Sequence, residues 1–515
     1  IGSPHAEQFN REEQMPITFR PTEPAVENLL PSRVVTPRPD RGAGRAKLIV
    51  QGAQAEGQYQ VGTPGFLYWQ CREAALASIE AWESISGNLT RWQIGSTLNV
   101  IPDLGEDLNA FYNRSSLSFF HKKVGTKTYF SGASTDVVAH EAGHAFLDAI
   151  RPDFWGSSRF EVNAFHEAFG DCVAIITALH DKDTRVAVLS KISGSNSVEA
   201  LAEEISDGIG KWIPGHNAAA PRRARNSFQW GPQGSLPSNG GPGVLIFEEH
   251  SFAQIFSGCF YDTIVNIFSG MTSSNESNLL LATQIASKLL VEATKNAPQR
   301  MEYFREVGRF MILADEQSNA GANQVAIRDA FQGHGIALGS SLTLAPSAAF
   351  AADTAGSSST KKKGVAKVTD ADLTTTARKE LRNLIGAVST KLDISQVKLA
   401  GKQFQEAVHQ RVVSLDACHK KLKGVIASAA QVALIGRSHS ALSIVGHVSN
   451  PANTDKDVVN YVKSLIEHGR INFEPTKKSA RSMVASTDES PRGVTHEVQD
   501  IRGQKTLARI RYICG

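Results

Sequence analysis

The sequence predicts a protein of the α+β class. Short apolar runs typical of strands recur between residues 47 and 120, and helical periodicity dominates after residue 134. An earlier helix is predicted over residues 68–86, where Ile79 and Trp82 belong to one apolar face. Strands that precede a run of helices are typical of this class rather than of a regularly alternating α/β fold.

Composition divides the 515 residues into four parts. Residues 1–45 are rich in Pro, Arg and Glu and are predicted to form an extended N-terminal arm, or alternatively an inhibitory or docking segment. Residues 46–338 form the predicted main domain, and residues 339–370 have the Gly, Ser, Ala and Lys content of a linker. Residues 371–515 are predicted to form a smaller α+β domain of unknown role.

The predicted C-terminal domain begins with helical periodicity and ends with the alternation of a strand. Helices are predicted through residues 371–435 from apolar side chains at helical spacing: Leu373, Leu381, Leu384, Ile385 and Val388. A short apolar run over residues 442–448 and a helix near 455–468 follow. Residues 507–514 alternate between apolar and polar side chains and predict a final strand.

Charge and cysteine content restrict the partners. The net charge of +3 is close to balance, so we expect no nucleic acid partner. The five scattered cysteines contain no C-x-x-C, which argues against a disulfide framework and against a thiolate metal site. No run of about eighteen apolar residues occurs, so we expect no membrane insertion. The compartment (cytoplasmic, or secreted after removal of a signal) and the oligomeric state are left open by the sequence.

The predicted chemistry centres on the segment His140-Glu141-Ala142-Gly143-His144, which has the pattern H-E-x-x-H on a predicted helix. Ser134, Thr135 and Asp136 supply side chains suited to an N-cap, and Arg151-Pro152 ends the helix. The two His lie one turn apart on the polar face, so that two neutral imidazoles can bind one metal ion. Glu141 directly follows the first His and is therefore predicted to act on a water molecule as a general base.

Two His leave a catalytic metal ion one protein ligand short. The following helix offers four candidates: Glu161, His166, Glu167 and Asp171. On a helical wheel, Glu161 falls on the apolar stripe and His166 lies beside it, whereas Glu167 is on the polar side. Glu167 is therefore the predicted third ligand. Asp171, one turn further on, is placed to accept an N–H from a metal-bound imidazole.

Together these residues resemble the zinc site of the thermolysin-like metallopeptidases, the gluzincins, in which H-E-x-x-H is followed by a helix that reads x-E-x-x-x-D. Glu167 follows His144 by 23 positions, close to the spacing of that family. The stretch TDVVAHEAGHAFLDAI is similar to the zinc helix of the family, including an acidic residue, Asp148, one turn after the second His. The detail also resembles a little-described bacterial subgroup with H-E-A-F-x-D and E-P-H motifs.

Two flanking stretches extend the resemblance to about residues 95–335. Asn109 and Ala110 belong to a stretch similar to the N-A-F-W edge strand of the family, which implies that they bind the substrate backbone. His250 follows Phe247-Glu248-Glu249 in a stretch that resembles the helix whose first His stabilises the oxyanion. The resemblance also implies that Asp148 and Asp171 support the metal ligands.

The resemblance implies a zinc-dependent endopeptidase that acts on a peptide or protein substrate. Zn²⁺ would be held by His140, His144 and Glu167, and the catalytic side chains would be Glu141 and His250. An exopeptidase on the same scaffold is one alternative, although its G-A-M-E-N signature is missing. The other alternative is a catalytically weak or inactive metallopeptidase-like binding protein.

The chain departs from the family pattern at three points. His166 precedes the third ligand where the family has Asn, and the transition-state Tyr has no clear counterpart, since the loop between the two helices offers only Phe154 and Trp155. The candidates for the oxyanion arginine lie together in a long loop: Arg222, Arg223 and Arg225.

Overall fold

The computed structural model confirms the α+β class, with 47% helix and 19% strand. It describes residues 15–22, 24, 30–107, 109–192, 224–240, 243–339, 379, 381–383, 385–386, 393–399, 402–437, 442–445, 450–476 and 493–514. Nearly all of the predicted linker, together with Arg222 and Arg223, lies outside the described residues. The four-part division of the chain stays a prediction.

A five-stranded sheet borders the H-E-x-x-H helix. Its strands are β3 (Lys47–Val50), β4 (Thr97–Ile101), β5 (Ala110–Tyr112), β6 (Ser116–Phe119) and β16 (Tyr512–Ile513), in the order β16-β5-β6-β4-β3. The pairs β3/β4 and β4/β6 are parallel, whereas β5 is antiparallel to both of its neighbours. The edge strand of this sheet therefore comes from the far end of the chain.

Helices cover the sheet and supply most of the core. They are α1 (Pro64–Ser86), α2 (Thr135–Ile150), α3 (Phe160–His180), α4 (Lys182–Ile192), α5 (Glu249–Ser269), α6 (Glu276–Asn296), α7 (Tyr303–Asn319) and α8 (Gln324–Gly333). Thr63, Ser134 and Asn275 cap the N-termini of α1, α2 and α6 with their side-chain oxygens. The helix predicted over residues 68–86 is confirmed as the larger part of α1.

Helix α3 is apolar around most of its circumference because it crosses the middle of the protein. Its length and composition would suffice to cross a membrane, yet every residue of the helix except His180 is buried within the fold. A core helix surrounded by other helices satisfies the same test. The packing of Phe165 against Phe256 of α5 and Tyr303 of α7 accounts for its apolar surface.

Two short hairpins flank the main sheet. Strands β1 (Ile17–Phe19) and β2 (Arg33–Val35) pair within the predicted arm, and β7 (His121–Val124) pairs with β8 (Lys127–Phe130). The first hairpin is anchored where the backbone N–H of Arg20 donates to Gln70 of α1 at 2.8 Å. Arg33 forms ion pairs with Asp181 and Asp183 at the end of α3 and the start of α4.

The helical prediction for residues 371–435 is wrong over most of its length. The structure has strands β9 (Asp393–Leu399), β10 (Lys402–Ser414) and β11 (Ile426–Arg437), of which the last two form a long antiparallel ladder. The apolar residues at helical spacing end at Val388, and no such spacing supports a helix over the residues that follow it. Cross-strand pairs such as Val408 with Val432 then decide the local structure.

The rest of this region agrees better with the predictions. Helix α9 (Pro451–Glu467) and strand β12 (Leu442–Val445) lie where a helix and an apolar run were predicted. The remaining strands are β13 (Ile471–Thr476), β14 (His496–Ile501) and β15 (Gln504–Arg509). The sheet runs β13-β14-β15-β11-β10-β9, and β12 pairs with β11.

This second sheet contacts the start of α3 through buried polar groups. Arg159 is fully buried and donates hydrogen bonds to the backbone oxygen of Ala430 in β11 and to Thr454 of α9. Asp457 of α9 lies 3.4 Å from the same guanidinium. The backbone after β15 then continues into the main sheet as β16, so the two sheets share one covalent connection beside the candidate site.

Candidate metal centre

Helix α2 brings the H-E-x-x-H side chains into one buried group. Its first turn is fixed by Ser134, whose hydroxyl accepts the N–H of Val137 at 3.2 Å. The potential ligand atoms of His140, Glu141 and His144 lie within 4.8 Å of one another. This buried group could bind a metal ion.

Two glycines let α2 and α3 approach closely beside this group. A Cβ atom on Gly143 would lie 2.8 Å from the Cα of Gly170, and a Cβ atom on Gly170 would lie 2.7 Å from the Nδ1 atom of His140. Side chains of any size would force the helices apart. The absence of a side chain at position 170 therefore allows the His140 ring to lie flat against α3.

The close approach brings Glu167 to both imidazoles. Its Oε2 atom lies 3.4 Å from Nε2 of His140 and 3.7 Å from Nε2 of His144. The ring centroids of the two His are 4.7 Å apart and nearly perpendicular. Two Nε2 atoms and one carboxylate oxygen thus converge from two helices, which is the arrangement predicted for the three ligands. The ligand roles themselves stay predictions.

Asp171 lies behind the first imidazole. Its Oδ1 atom is 3.0 Å from Nδ1 of His140, and its Oδ2 atom accepts a hydrogen bond from Ser257 of α5 at 2.9 Å. A carboxylate acceptor at Nδ1 places the proton there and leaves the Nε2 lone pair of His140 directed toward Glu167 and His144. The role of Asp171 as the support of a metal-binding imidazole stays a prediction.

His166 supports the second imidazole in place of a carboxylate. The Nδ1 atoms of His144 and His166 are 2.8 Å apart. Burial lowers the pKa of His166 well below its ordinary value, so the ring is neutral. When the Nδ1–H of His144 donates to Nδ1 of His166, the Nε2 atom of His144 carries the lone pair that a metal ion would bind. In this arrangement His166 would support His144 in the tautomer that can bind a metal ion.

His250 lies on the other side of Glu167, at the start of α5. Its Nε2 atom is 3.3 Å from Oε2 of Glu167 and 2.8 Å from the backbone oxygen of Ile513. Its Nδ1 atom is 2.5 Å from Oε1 of Glu248. Burial alone would raise the pKa of Glu248, but the charges of His250 and Arg470 outweigh burial and lower it. Glu248 therefore holds the ring so that Nε2–H points into the site.

The remaining predicted residues, Asp148, Asn109 and Ala110, lie near the end of α2 and at the start of β5. Asp148 accepts hydrogen bonds from the hydroxyl of Tyr112 and from the guanidinium of Arg114, both on or beside β5, rather than from a metal-binding imidazole. The side-chain oxygen of Asn109 accepts the N–H of Ala110 at 2.9 Å. The backbone oxygen of Ala110 accepts the N–H of Cys514 at 2.9 Å.

Several residues at the site were missed by the sequence analysis. The ring of Tyr512 stacks on the rings of His166 and His144, with distances between ring centroids of 3.7 Å and 4.9 Å. Arg509, fully enclosed nearby, donates to Asn163 at 2.9 Å and pairs with Glu249 at 3.2 Å. The strand-like alternation near the end of the chain was recognised, but no local pattern connects it with α2. Glu248 could have been found from the sequence, because an acidic residue is favoured at the N-terminal end of a predicted helix. In the structure Glu248 caps the first turn of α5, which contains His250.

The donor set fits a divalent transition metal ion. Two imidazoles, one carboxylate and a further carboxylate within reach provide the N and O donors that zinc, cobalt or iron prefer. Asp171 and His166 lie within hydrogen-bond distance of the Nδ1 atoms of the two imidazoles, where they would orient the Nε2 atoms for binding. The ring of His140 lies directly against Gly170, where an added Cβ atom would collide with it. The chemistry of the donors does not by itself select zinc.

Comparison with known proteins assigns no family to this chain. No family model matches the sequence, and no curated protein matches it. The functional conclusion therefore depends on the geometry of the buried His-Glu-His group and of the residues around it.

Proposed function

We propose that the protein is a zinc-dependent endopeptidase of the thermolysin-like type. The observation that carries the proposal is the convergence of Nε2 of His140 and Nε2 of His144 on Oε2 of Glu167, with Glu141 next to them. Zinc is the commonest ion bound by two imidazoles and one carboxylate in hydrolytic sites. The order of the elements, an edge strand before the H-E-x-x-H helix and a His-bearing helix after it, supports the same type.

Each side chain has a distinct task in this proposal. His140, His144 and Glu167 would hold Zn²⁺, which when bound acidifies a water molecule and polarises a carbonyl group. Glu141 accepts the proton of the attacking water and delivers it to the leaving amine.

His250 stabilises the negative charge that develops on the carbonyl oxygen. Its Nε2–H already reaches a backbone oxygen, that of Ile513, at 2.8 Å. Removal of one donor of this kind typically costs about 3 kcal/mol of transition-state stabilisation. The carboxylate of Glu248 keeps the donating N–H in this direction. Strand β5 would hold the substrate in extended form through the backbone oxygen of Ala110.

Two variants separate the base from the ligand. Glu141→Gln is expected to retain zinc and to lower hydrolysis of a quenched peptide library by a factor of about 10³ or more, because the proton acceptor is lost. Glu167→Ala is expected to lose zinc, measured by elemental analysis after dialysis. Glu316→Gln, an exposed glutamate on α7, serves as the matched control and is expected to change neither quantity.

The same assay distinguishes the alternatives. Internal cleavage that disappears in Glu141→Gln supports the endopeptidase. Stepwise trimming from one end would identify an exopeptidase, and bound zinc without turnover in any variant would identify a binding protein. Retention of zinc by Glu167→Ala together with its loss from Glu141→Gln would exchange the two proposed roles and refute the assignment.

A further inference from the structure

The strand β16 pairs with the strand that was predicted to bind substrate. Tyr512 is opposite Tyr112 and Ile513 is opposite Phe111 in an antiparallel register. The next residue continues the ladder, since the N–H of Cys514 donates to the backbone oxygen of Ala110 at 2.9 Å. This oxygen is the group assigned above to the backbone of a bound peptide. A segment of the chain itself therefore has the backbone contacts of a substrate.

The backbone carbonyl group of Ile513, which precedes the N–H of Cys514, faces the proposed catalytic residue His250. The backbone oxygen of Ile513 lies 2.8 Å from Nε2 of His250, the N–H proposed to stabilise the oxyanion. The same Nε2 atom is 3.3 Å from Oε2 of Glu167. The peptide bond between Ile513 and Cys514 therefore makes two contacts that the proposed mechanism assigns to the bond to be cleaved. Its carbonyl oxygen contacts His250, and its N–H donates to the backbone oxygen of Ala110.

Side chains of the segment fill specific places. Ile513 packs with Phe111 and Phe120 in a small apolar cluster separate from the main core. Tyr512 lies over the rings of His144 and His166 and is completely buried. The cleft therefore accepts an aromatic side chain followed by an aliphatic one.

With the segment in place, the candidate site is closed to solvent. The exposed fractions of His140 and His144 are 3% and 0%, and those of Glu141 and Glu167 are 0% and 1%. A peptide substrate needs the strand position that β16 occupies. A hydrolytic site also needs a path for water and for products, so the segment has to leave before turnover.

We propose that residues 512–514 are a built-in occupant of the substrate cleft, which holds the enzyme in a closed state and resembles the peptides that it accepts. The proposal rests on the proposed function and adds the regulation and the substrate class of that site: extended peptides with an aromatic residue followed by an aliphatic residue. The preceding residues act as the anchor, because Arg511 donates to Val494 at 2.7 Å and Arg509 pairs with Glu249.

Two substitutions test whether the segment closes the site. Cys514→Pro removes the N–H that Ala110 accepts, and Ile513→Asp places a charge between Phe111 and Phe120. Ile501→Asp, at an isoleucine that is 47% exposed, is the matched control. Circular dichroism and the melting temperature verify that each variant is folded.

The first measurement is the rate at which 4-(2-pyridylazo)resorcinol extracts zinc from the zinc-loaded chain of 515 residues. We expect about a tenfold faster extraction from Cys514→Pro and Ile513→Asp than from the wild type and from Ile501→Asp, because lost strand contacts favour the open state. This readout needs no peptidase activity. Unchanged extraction rates in both folded variants would overturn the proposal.

The second measurement is hydrolysis of a quenched peptide, where the same two variants are expected to have about a tenfold higher kcat/KM. The peptide Arg-Tyr-Ile-Ser, added separately, is expected to inhibit Cys514→Pro, whereas Arg-Tyr-Asp-Ser is not. Faster extraction without hydrolysis by any variant supports closure and contradicts the endopeptidase. Hydrolysis at wild-type rates in both variants, or equal effects of the two peptides, contradicts closure and leaves the endopeptidase standing.

Discussion

The substitution Gly170→Ala tests how closely the two site helices must approach. The added Cβ atom would lie 2.7 Å from Cε1 and Nδ1 of the His140 ring and 2.9 Å from Nε2. An ordinary contact between such atoms needs about 3.5 Å or more, so the ring has to move by about 0.8 Å. Metal–nitrogen bonds tolerate deviations of only about 0.2 Å. The movement also disturbs the 3.0 Å contact between Nδ1 and Asp171.

We therefore expect Gly170→Ala to weaken zinc binding by about 100-fold, or about 2.7 kcal/mol. Competitive titration against a chelator of known affinity measures this change. Gly333→Ala is the matched control, because a Cβ atom at the end of α8 meets nothing within 4 Å. A folded Gly170→Ala protein that binds zinc as tightly as the wild type would refute the argument that His140 is held by close helix packing.

Two further predictions concern His166 and the first hairpin. His166→Phe is expected to weaken zinc binding by about tenfold, because the Nδ1–H of His144 loses its acceptor. His166→Asn supplies another acceptor and is expected to retain most of the affinity. Titration against a chelator measures the zinc affinity of both variants. Asp181→Asn is expected to destabilise the protein by about 1 kcal/mol at pH 7, because Arg33 loses one of its two ion pairs and keeps the one with the more exposed Asp183. Burial raises the pKa of Asp181, but hydrogen bonds from Arg33 and Thr184 outweigh it and lower the pKa. The stability that this pair supplies is therefore present above about pH 3.9, the ordinary pKa of Asp, and is lost as the pH falls further.

Controls for these predictions are available in the chain. Equal zinc affinities of His166→Phe and His166→Asn would show that packing at this position, not a hydrogen bond to His144, matters. For Asp181→Asn, urea unfolding at several pH values gives the stability difference from the wild type, and the exposed Asp329→Asn is the matched control. A difference that persists at full size well below pH 3.9 would contradict the ionic origin of the effect.

The sequence could predict a large part of the site because that part is local. A helix places residues at i and i+4 one above the other, so His140 and His144 are neighbours wherever the helix lies. The polar side of the next helix identified Glu167 and Asp171 for the same reason. Residues 393–435 were predicted to be helical but form strands. The spacing of apolar residues along the chain does not reveal this, because β10 and β11 are stabilised by contacts with each other.

Local periodicity in the sequence thus determined the two helices, their polar faces and the class of the fold. Only the tertiary structure decided which distant residues meet there. His250 contacts the backbone of Ile513 across 263 positions of chain, and β16 pairs with β5 although the two strands are far apart along the chain. The physical reason is that backbone hydrogen bonds and ring stacking depend on position in space, whereas amphipathic spacing depends on position along the chain.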